Sequence, residues 1–176
     1  LTDWNIYSPV WAPVSLEDQW LKLQDKDPFD YAKVERKIPA SKELKVSFDL
    51  KAGQNNKGTL QIEFLDENGI ACSRMELTDD GIFRLKGGSR FANMMKYEAG
   101  KVYHVEAVLS TVDRNIQVYV DGKRVGLRMF YAPVAAVERI VFRTGVPRTF
   151  PTVDTPADQT YDLPNAGAQD PLAEYG

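Results

Sequence analysis

The chain has 176 residues, of which 43% are hydrophobic and 27% charged, with a formal net charge of −3. That length gives one domain with its own core, and the apolar content excludes intrinsic disorder. The acidic balance, free of like-charged blocks, excludes a nucleic-acid binder working by counterion release, and no apolar run approaches the ~20 residues that span a bilayer.

Residues 1–19 are rich in aromatic and proline residues, with Trp4, Tyr7, Pro9, Trp11 and Pro13 and no clear period. They are expected to form an extended leading segment that lays its aromatics on a larger surface. Both ends of the chain read as cut from something longer.

From Trp20 to Gly145 the pattern becomes one of short alternating runs. Leu44, Val46, Phe48 and Leu50 alternate with Lys45, Ser47 and Asp49; Leu60, Ile62 and Phe64 alternate with Gln61 and Glu63. Tyr103, Val105, Ala107 and Leu109 form a third run, and Ile116, Val118 and Val120 a fourth. A period of two assigns one set of each strand to a core and the other to water or a ligand. The turns agree: Asn68-Gly69, Asp80-Gly81 and Asp121-Gly122 separate such runs, and they supply the positive φ that tight hairpins need. Only Val134–Arg139 invites a short helical turn. The expectation is an all-β domain of about ten to twelve short strands in a two-sheet antiparallel β-sandwich, with an eight-stranded ligand barrel as the competing architecture.

Residues 146–176 carry Pro147, Pro151, Pro156, Pro164 and Pro171 among many Asp, Thr and Ala residues. Proline donates nothing to a ladder, so this stretch reads as a tail or linker rather than sheet interior.

If the strands at Leu60, Ala71, Tyr103 and Ile116 share a sheet, their outward set is Gln61, Glu63, Arg74, Glu76, His104, Glu106, Gln117 and Tyr119. Planar polar groups suit sugar hydroxyls and an aromatic face suits the apolar side of a sugar ring, so this belt is the candidate ligand surface. A charged wet face with no ligand is the alternative. Glu63, Glu76 and Glu106, with His104, are the catalytic candidates, because glycoside hydrolysis needs two carboxylates and cross-strand neighbours reach about 5 Å. Like charges so placed repel unless a cation such as Arg74 intervenes. Calcium is the one candidate cofactor, through Asp25, Asp27 and Asp30 or the hairpin residues Asp66, Asp79 and Asp80, although aspartate also serves turns for local reasons. Cys72, the single cysteine, forms no internal disulfide and reads as a small half-buried strand residue. There is no P-loop and no Gly-x-Ser-x-Gly elbow.

Leu44–Leu50, Gly58–Phe64, Gly100–Val105 and the run Val118-Tyr119-Val120-Asp121-Gly122-Lys123 resemble the concanavalin A-like lectin/glucanase superfamily, in its laminin-G-like jelly-roll style. The segments Asp25–Lys33 and Glu138–Gly145 are similar to accessory modules of bacterial polysaccharide-degrading enzymes. The resemblance implies a secreted or periplasmic carbohydrate-binding or supporting module whose partners are a glycan and another domain of the same polypeptide. The laminarinase branch carries Glu-x-Asp-x-x-Glu on one strand, whereas here Leu65 and Asn68 follow Glu63 at those offsets. A small glycoside hydrolase or lyase using paired carboxylates, and a structural interdomain module without a ligand, remain the alternatives.

Overall fold

The computed structural model describes residues 2–27, 30–145 and 173–176. Their regular structure is strand throughout: β1 (Trp4–Tyr7), β2 (Val14–Glu17), β3 (Trp20–Asp25), β4 (Lys33–Ser41), β5 (Glu43–Lys51), β6 (Leu60–Leu65), β7 (Ala71–Leu77), β8 (Ile82–Gly87), β9 (Arg90–Lys96), β10 (Val102–Ser110), β11 (Asn115–Val120), β12 (Lys123–Met129), β13 (Val137–Thr144) and β14 (Ala173–Tyr175). The helical turn expected at Val134–Arg139 does not form. Val137 already opens β13, whose residues are claimed by ladders on both sides.

One layer is a seven-stranded sheet in the order β1-β4-β13-β6-β7-β8-β9. The other is assembled from two pieces, β12-β11-β10-β5 and β14-β3-β2. Strand β14 joins them. It pairs with β3 on one side, and on the other Lys51 N–H and Gly53 N–H donate to the carbonyls of Gly176 and Glu174. All the ladders are antiparallel, as the alternating runs and hairpin turns predict. Strands β6 to β9 form one meander and β10 to β12 another. Asp121 and Gly122 have φ of 50° and 79°, the double positive φ of a tight two-residue hairpin.

Each alternating run delivers its apolar set to the space between the layers. Ile62, Phe64, Met75 and Leu85 from the seven-stranded sheet meet Val105, Ala107, Leu109, Ile116 and Val118 from the other, all with no exposed surface. Phe48 of β5 packs edge-on against Phe142 of β13, with ring centroids 5.1 Å apart. Removing each such side chain from water contributes roughly 1.5–3 kcal/mol before the entropy of ordering it is subtracted.

The ends of the chain contribute more sheet than their composition suggests. The leading segment supplies β1 and β2, and Trp4 reaches the core, tilted against Phe142 at 6.3 Å. Residues 173–175 of the proline-rich stretch are strand β14, and Tyr175 is 1% exposed. The rest of that stretch, 146–172, lies outside the described residues.

Two stability predictions follow from this packing. Gly58 sits at φ +68°, and a Cβ placed on it would overlap the Cβ of Ala173. Gly58→Ala combines a left-handed backbone with overpacking against β14, and we expect a loss of about 2–4 kcal/mol in urea unfolding. An unchanged midpoint would show that β14 is not clamped there. Cys72 is fully buried, and burial pushes its thiol up to about 12. The native protein should resist a disulfide-exchange reagent at neutral pH and titrate its one thiol only after denaturation. Rapid reaction of the folded protein would contradict this placement.

Candidate functional site

The expected belt is divided by the fold. Gln61 and Glu63 lie on β6 and Arg74 and Glu76 on β7, within the seven-stranded sheet. His104 and Glu106 lie on β10 and Gln117 and Tyr119 on β11, within the other layer. The expectation that these four strands share a sheet is therefore corrected, and the two half-belts face away from each other across the core. The physical reason is that alternation marks the wet side of a strand without naming its neighbours. Here β6 pairs with β13, and β10 pairs with β5.

The two outer faces differ in character. On the four-stranded piece, His104 Nδ1 lies 2.7 Å from Asp49 Oδ1, both side chains being more than half exposed. Glu106 pairs with Lys45 at 2.7 Å, and the Tyr119 hydroxyl donates to Gln117 Oε1 at 3.1 Å. These are short-range contacts on an open surface.

The outer face of the seven-stranded sheet is far more enclosed. Antiparallel register sets out one row of Lys33, Arg143, Gln61, Glu76 and Arg84 across β4, β13, β6, β7 and β8. A second row holds Glu35, Val141, Glu63 and Arg74, with Lys86 beside Arg74 one step along the β7–β8 ladder from the Met75–Leu85 pair. Arg74 donates from Nε and Nη2 to Glu63 Oε1 at 2.7 and 2.5 Å, and Arg84 Nη2 donates to Glu76 Oε1 at 2.6 Å. Arg74 is 9% exposed and Glu76 4%. Cross-strand charge pairing thus allows ionised groups to be held out of water on what is nominally a surface.

Aromatic rings close over these charges. The Arg143 guanidinium stacks 3.8 Å from the Tyr31 ring centroid, and Arg84 lies 4.2 Å over Phe91. Lys86 Nζ sits 4.4 Å from the Tyr131 ring and 5.9 Å from Phe91, and Arg74 is 5.7 Å from Tyr131. Cations on aromatic faces at such distances are attracted by the ring quadrupole. Burial pushes the Tyr131 hydroxyl up, with Arg74 opposing. Burial also pulls the Lys86 ammonium below its ordinary range, and Arg74 adds to that. At the centre, Gln61 has no exposed surface and neither amide atom has a hydrogen-bond partner among the described residues; the Tyr131 hydroxyl and Arg84 Nε are likewise buried and without a partner among them.

Two other features are weaker candidates. A cleft of about 460 Å³ opens at the sandwich edge, but its walls are largely core side chains such as Leu50, Leu60 and Phe142, with Trp4 and Trp20 at its rim. It has few polar groups with which to orient a ligand. For calcium, no cluster of three or more acidic, His or Cys residues suited to a metal exists among the described residues. Asp66 Oδ1 instead accepts from the N–H groups of Asn68 and Ile70, Asp25 Oδ1 accepts from Asp27 N–H, and Asp80 bonds the Thr78 hydroxyl. These carboxylates shape turns.

Residues 4–159 match the family described as "Sialidase-like, CBM domain". The chain belongs to the sialidase-like CBM domain family. A solved chain described as "Sialidase" is 88% identical to it over 99% of its length, with a TM-score of 0.88. The CBM-like domain spans only 16% of the length of that sialidase. More distant solved structures share the fold alone. The Crh5 transglycosylase has 12% identity and a TM-score of 0.67, covering 99% of this chain and 76% of its own. The Emp47p carbohydrate recognition domain has 10% identity and a TM-score of 0.63, covering 99% and 86%. No curated protein matches the chain. These neighbours share the antiparallel β-sandwich that the strand pattern implies.

In this CBM-like domain, sequence reading omitted Arg84, Lys86, Phe91, Tyr131, Tyr31 and Arg143. Arg84 and Lys86 do carry a signal, since they alternate with the core residues Phe83 and Leu85. Arg143, Tyr31 and Tyr131 carry none, because they reach the face only through the pairing of β13 and through loops. The ion pairs can be tested against one another. Glu76→Gln should cost about 1–3 kcal/mol in urea unfolding, because it strands a partly buried guanidinium that remains a third exposed. Glu106→Gln, in the exposed pair, should change stability by less than about 0.5 kcal/mol. Equal effects would show that the two outer faces are not different environments.

Proposed function

We propose that the chain is a non-catalytic carbohydrate-binding module of a longer, secreted or periplasmic bacterial glycan-degrading enzyme. It contacts glycan with the outer face of its seven-stranded sheet, around Arg84, Lys86, Phe91 and Tyr131. The observation that carries this reading is the ion-paired polar layer on that face with the partly exposed rings of Phe91 and Tyr131 over its cations. Partly exposed rings beside such groups are what an apolar sugar face packs on. Membership of the CBM family and the sialidase of which a 16% portion resembles this chain support a role beside a catalytic neighbour. Export fits polymers that an enzyme must meet outside the cell.

A non-catalytic role is supported by how the candidate carboxylates are used. Glu63, Glu76 and Glu106 are each held by a cation, and Glu106 lies on the opposite layer from the other two. A hydrolase needs two carboxylates converging on one bond.

Titration calorimetry against a panel of neutral and acidic oligosaccharides, run beside a reducing-sugar release assay, tests the proposal. We expect binding without release. Phe91→Ala should weaken binding by about tenfold, the loss of one ring–sugar contact, while Tyr119→Ala on the other outer face leaves it unchanged. Release of sugar would replace this reading with an enzymatic one, and absence of binding to every sugar would leave a structural module.

A further inference from the structure

The cations of the enclosed face are not all balanced. Arg74 is matched by Glu63 and Arg84 by Glu76. Lys86, on the same face, has no ion pair and no hydrogen-bond acceptor among the described residues; its ammonium lies 4.4 Å from the Tyr131 ring centroid and 5.9 Å from that of Phe91, and Glu63 and Glu76 attract it from beyond ion-pair distance. Arg74 stands beside it on β7 and repels it. An ammonium partly withdrawn from water beside a second cation is costly unless an anion arrives, and ring faces compensate only part of that cost. Surface lysines ordinarily solve this by swinging into solvent. Lys86 is instead held half-buried between two aromatic side chains that arrive from different parts of the chain, β9 and the loop after β12.

We propose that Lys86 is the specificity-determining residue of the glycan site and that the site selects sugars bearing an anionic substituent, a ring carboxylate or a sulfate ester. This deepens the proposed function and rests on it. The rings of Tyr131 and Phe91 set the position of the ammonium, so the anion is received at one place rather than by a mobile side chain. Arg74 adds positive potential at that place, which Glu63 and Glu76 offset only in part, and Lys86 is left there without an ion pair among the described residues. The neutral part of the sugar then lies toward β9 and Arg84, where the Phe91 ring and the exposed Asn93 are available. A lysine point charge takes either anion.

The test titrates the full chain with lactose, sialyl-lactose and sulfated lactose at low and moderate salt. The wild type should bind at least one of the anionic ligands about tenfold or more tightly than lactose, with an advantage that shrinks as salt rises. Lys86→Met, which keeps the stem and removes the charge, should abolish that advantage, so that the variant binds lactose and the anionic ligands equally. Lys86→Arg should retain most of it. Urea unfolding of each variant separates loss of binding from loss of fold. Equal affinity of the wild type for lactose and both anionic sugars would overturn charge selection while leaving glycan binding intact. An advantage that survives in a folded Lys86→Met variant would overturn the assignment to Lys86. No binding of any of the three would overturn both this inference and the glycan-binding function beneath it.

Discussion

The structure depends on the position of β13. This strand pairs with β4 on one side and β6 on the other, and without it the seven-stranded sheet would fall into two pieces. Its register is fixed from both directions by burial. Ile140 and Phe142 must face the core opposite Phe64 and Ile62, so Arg139, Val141 and Arg143 must face outward. A slip of one residue would drive three outward positions into the dry interior and expose two core side chains. The same register places Arg143 beside Gln61 at the centre of the polar layer. Core packing and site geometry are therefore set by one constraint, and neither can shift without the other.

Local chemistry explains which parts of this were legible in the sequence. The alternation of Leu60-Gln61-Ile62-Glu63-Phe64 and of Val105 to Leu109 fixes strand, face and hence sandwich, because pleating ties side-chain direction to residue parity. Turn residues such as Asp121 and Gly122 fix which neighbours form hairpins. What parity cannot fix is pairing between strands distant in the chain. Glu76 and Glu106 both read as outward, and both are, but they lie on opposite outer faces because β7 and β10 belong to different layers. The strand at the C-terminal end was hidden for the same reason. Ala173–Tyr175 has no alternation of its own length to display, and becomes strand only because β3 and the end of β5 leave a gap that three residues fill.

The two outer faces follow opposite electrostatic strategies. On β5, β10 and β11 the charges remain in water, where an ion pair is worth little and its partners exchange freely. On β6, β7 and β8 the charges are withdrawn from water, and each withdrawal requires a partner within a few ångströms. Arg74, Glu63, Glu76 and Arg84 meet that requirement internally. Their pairing stiffens the layer, because a long side chain bound at one end and buried along its stem has few rotamers left.

A stiff, desolvated polar layer is an expensive surface for a fold that needs only to stay soluble. The opposite face of the same sandwich shows that a simple wet sheet is compatible with this core. The difference is concentrated where β7, β8 and β9 meet the loop carrying Tyr131. There the rings of Tyr131 and Phe91 cap the cations. Stability alone gives no reason to hold Lys86 between two rings beside Arg74, since an alanine at that position would remove the repulsion at the loss of only modest cation–π attraction. Recognition does give a reason. A charge positioned before its ligand arrives loses little further entropy on binding, and a dry setting strengthens its field at close range. Preorganisation for a ligand is thus the reading under which the cost of this face has a return.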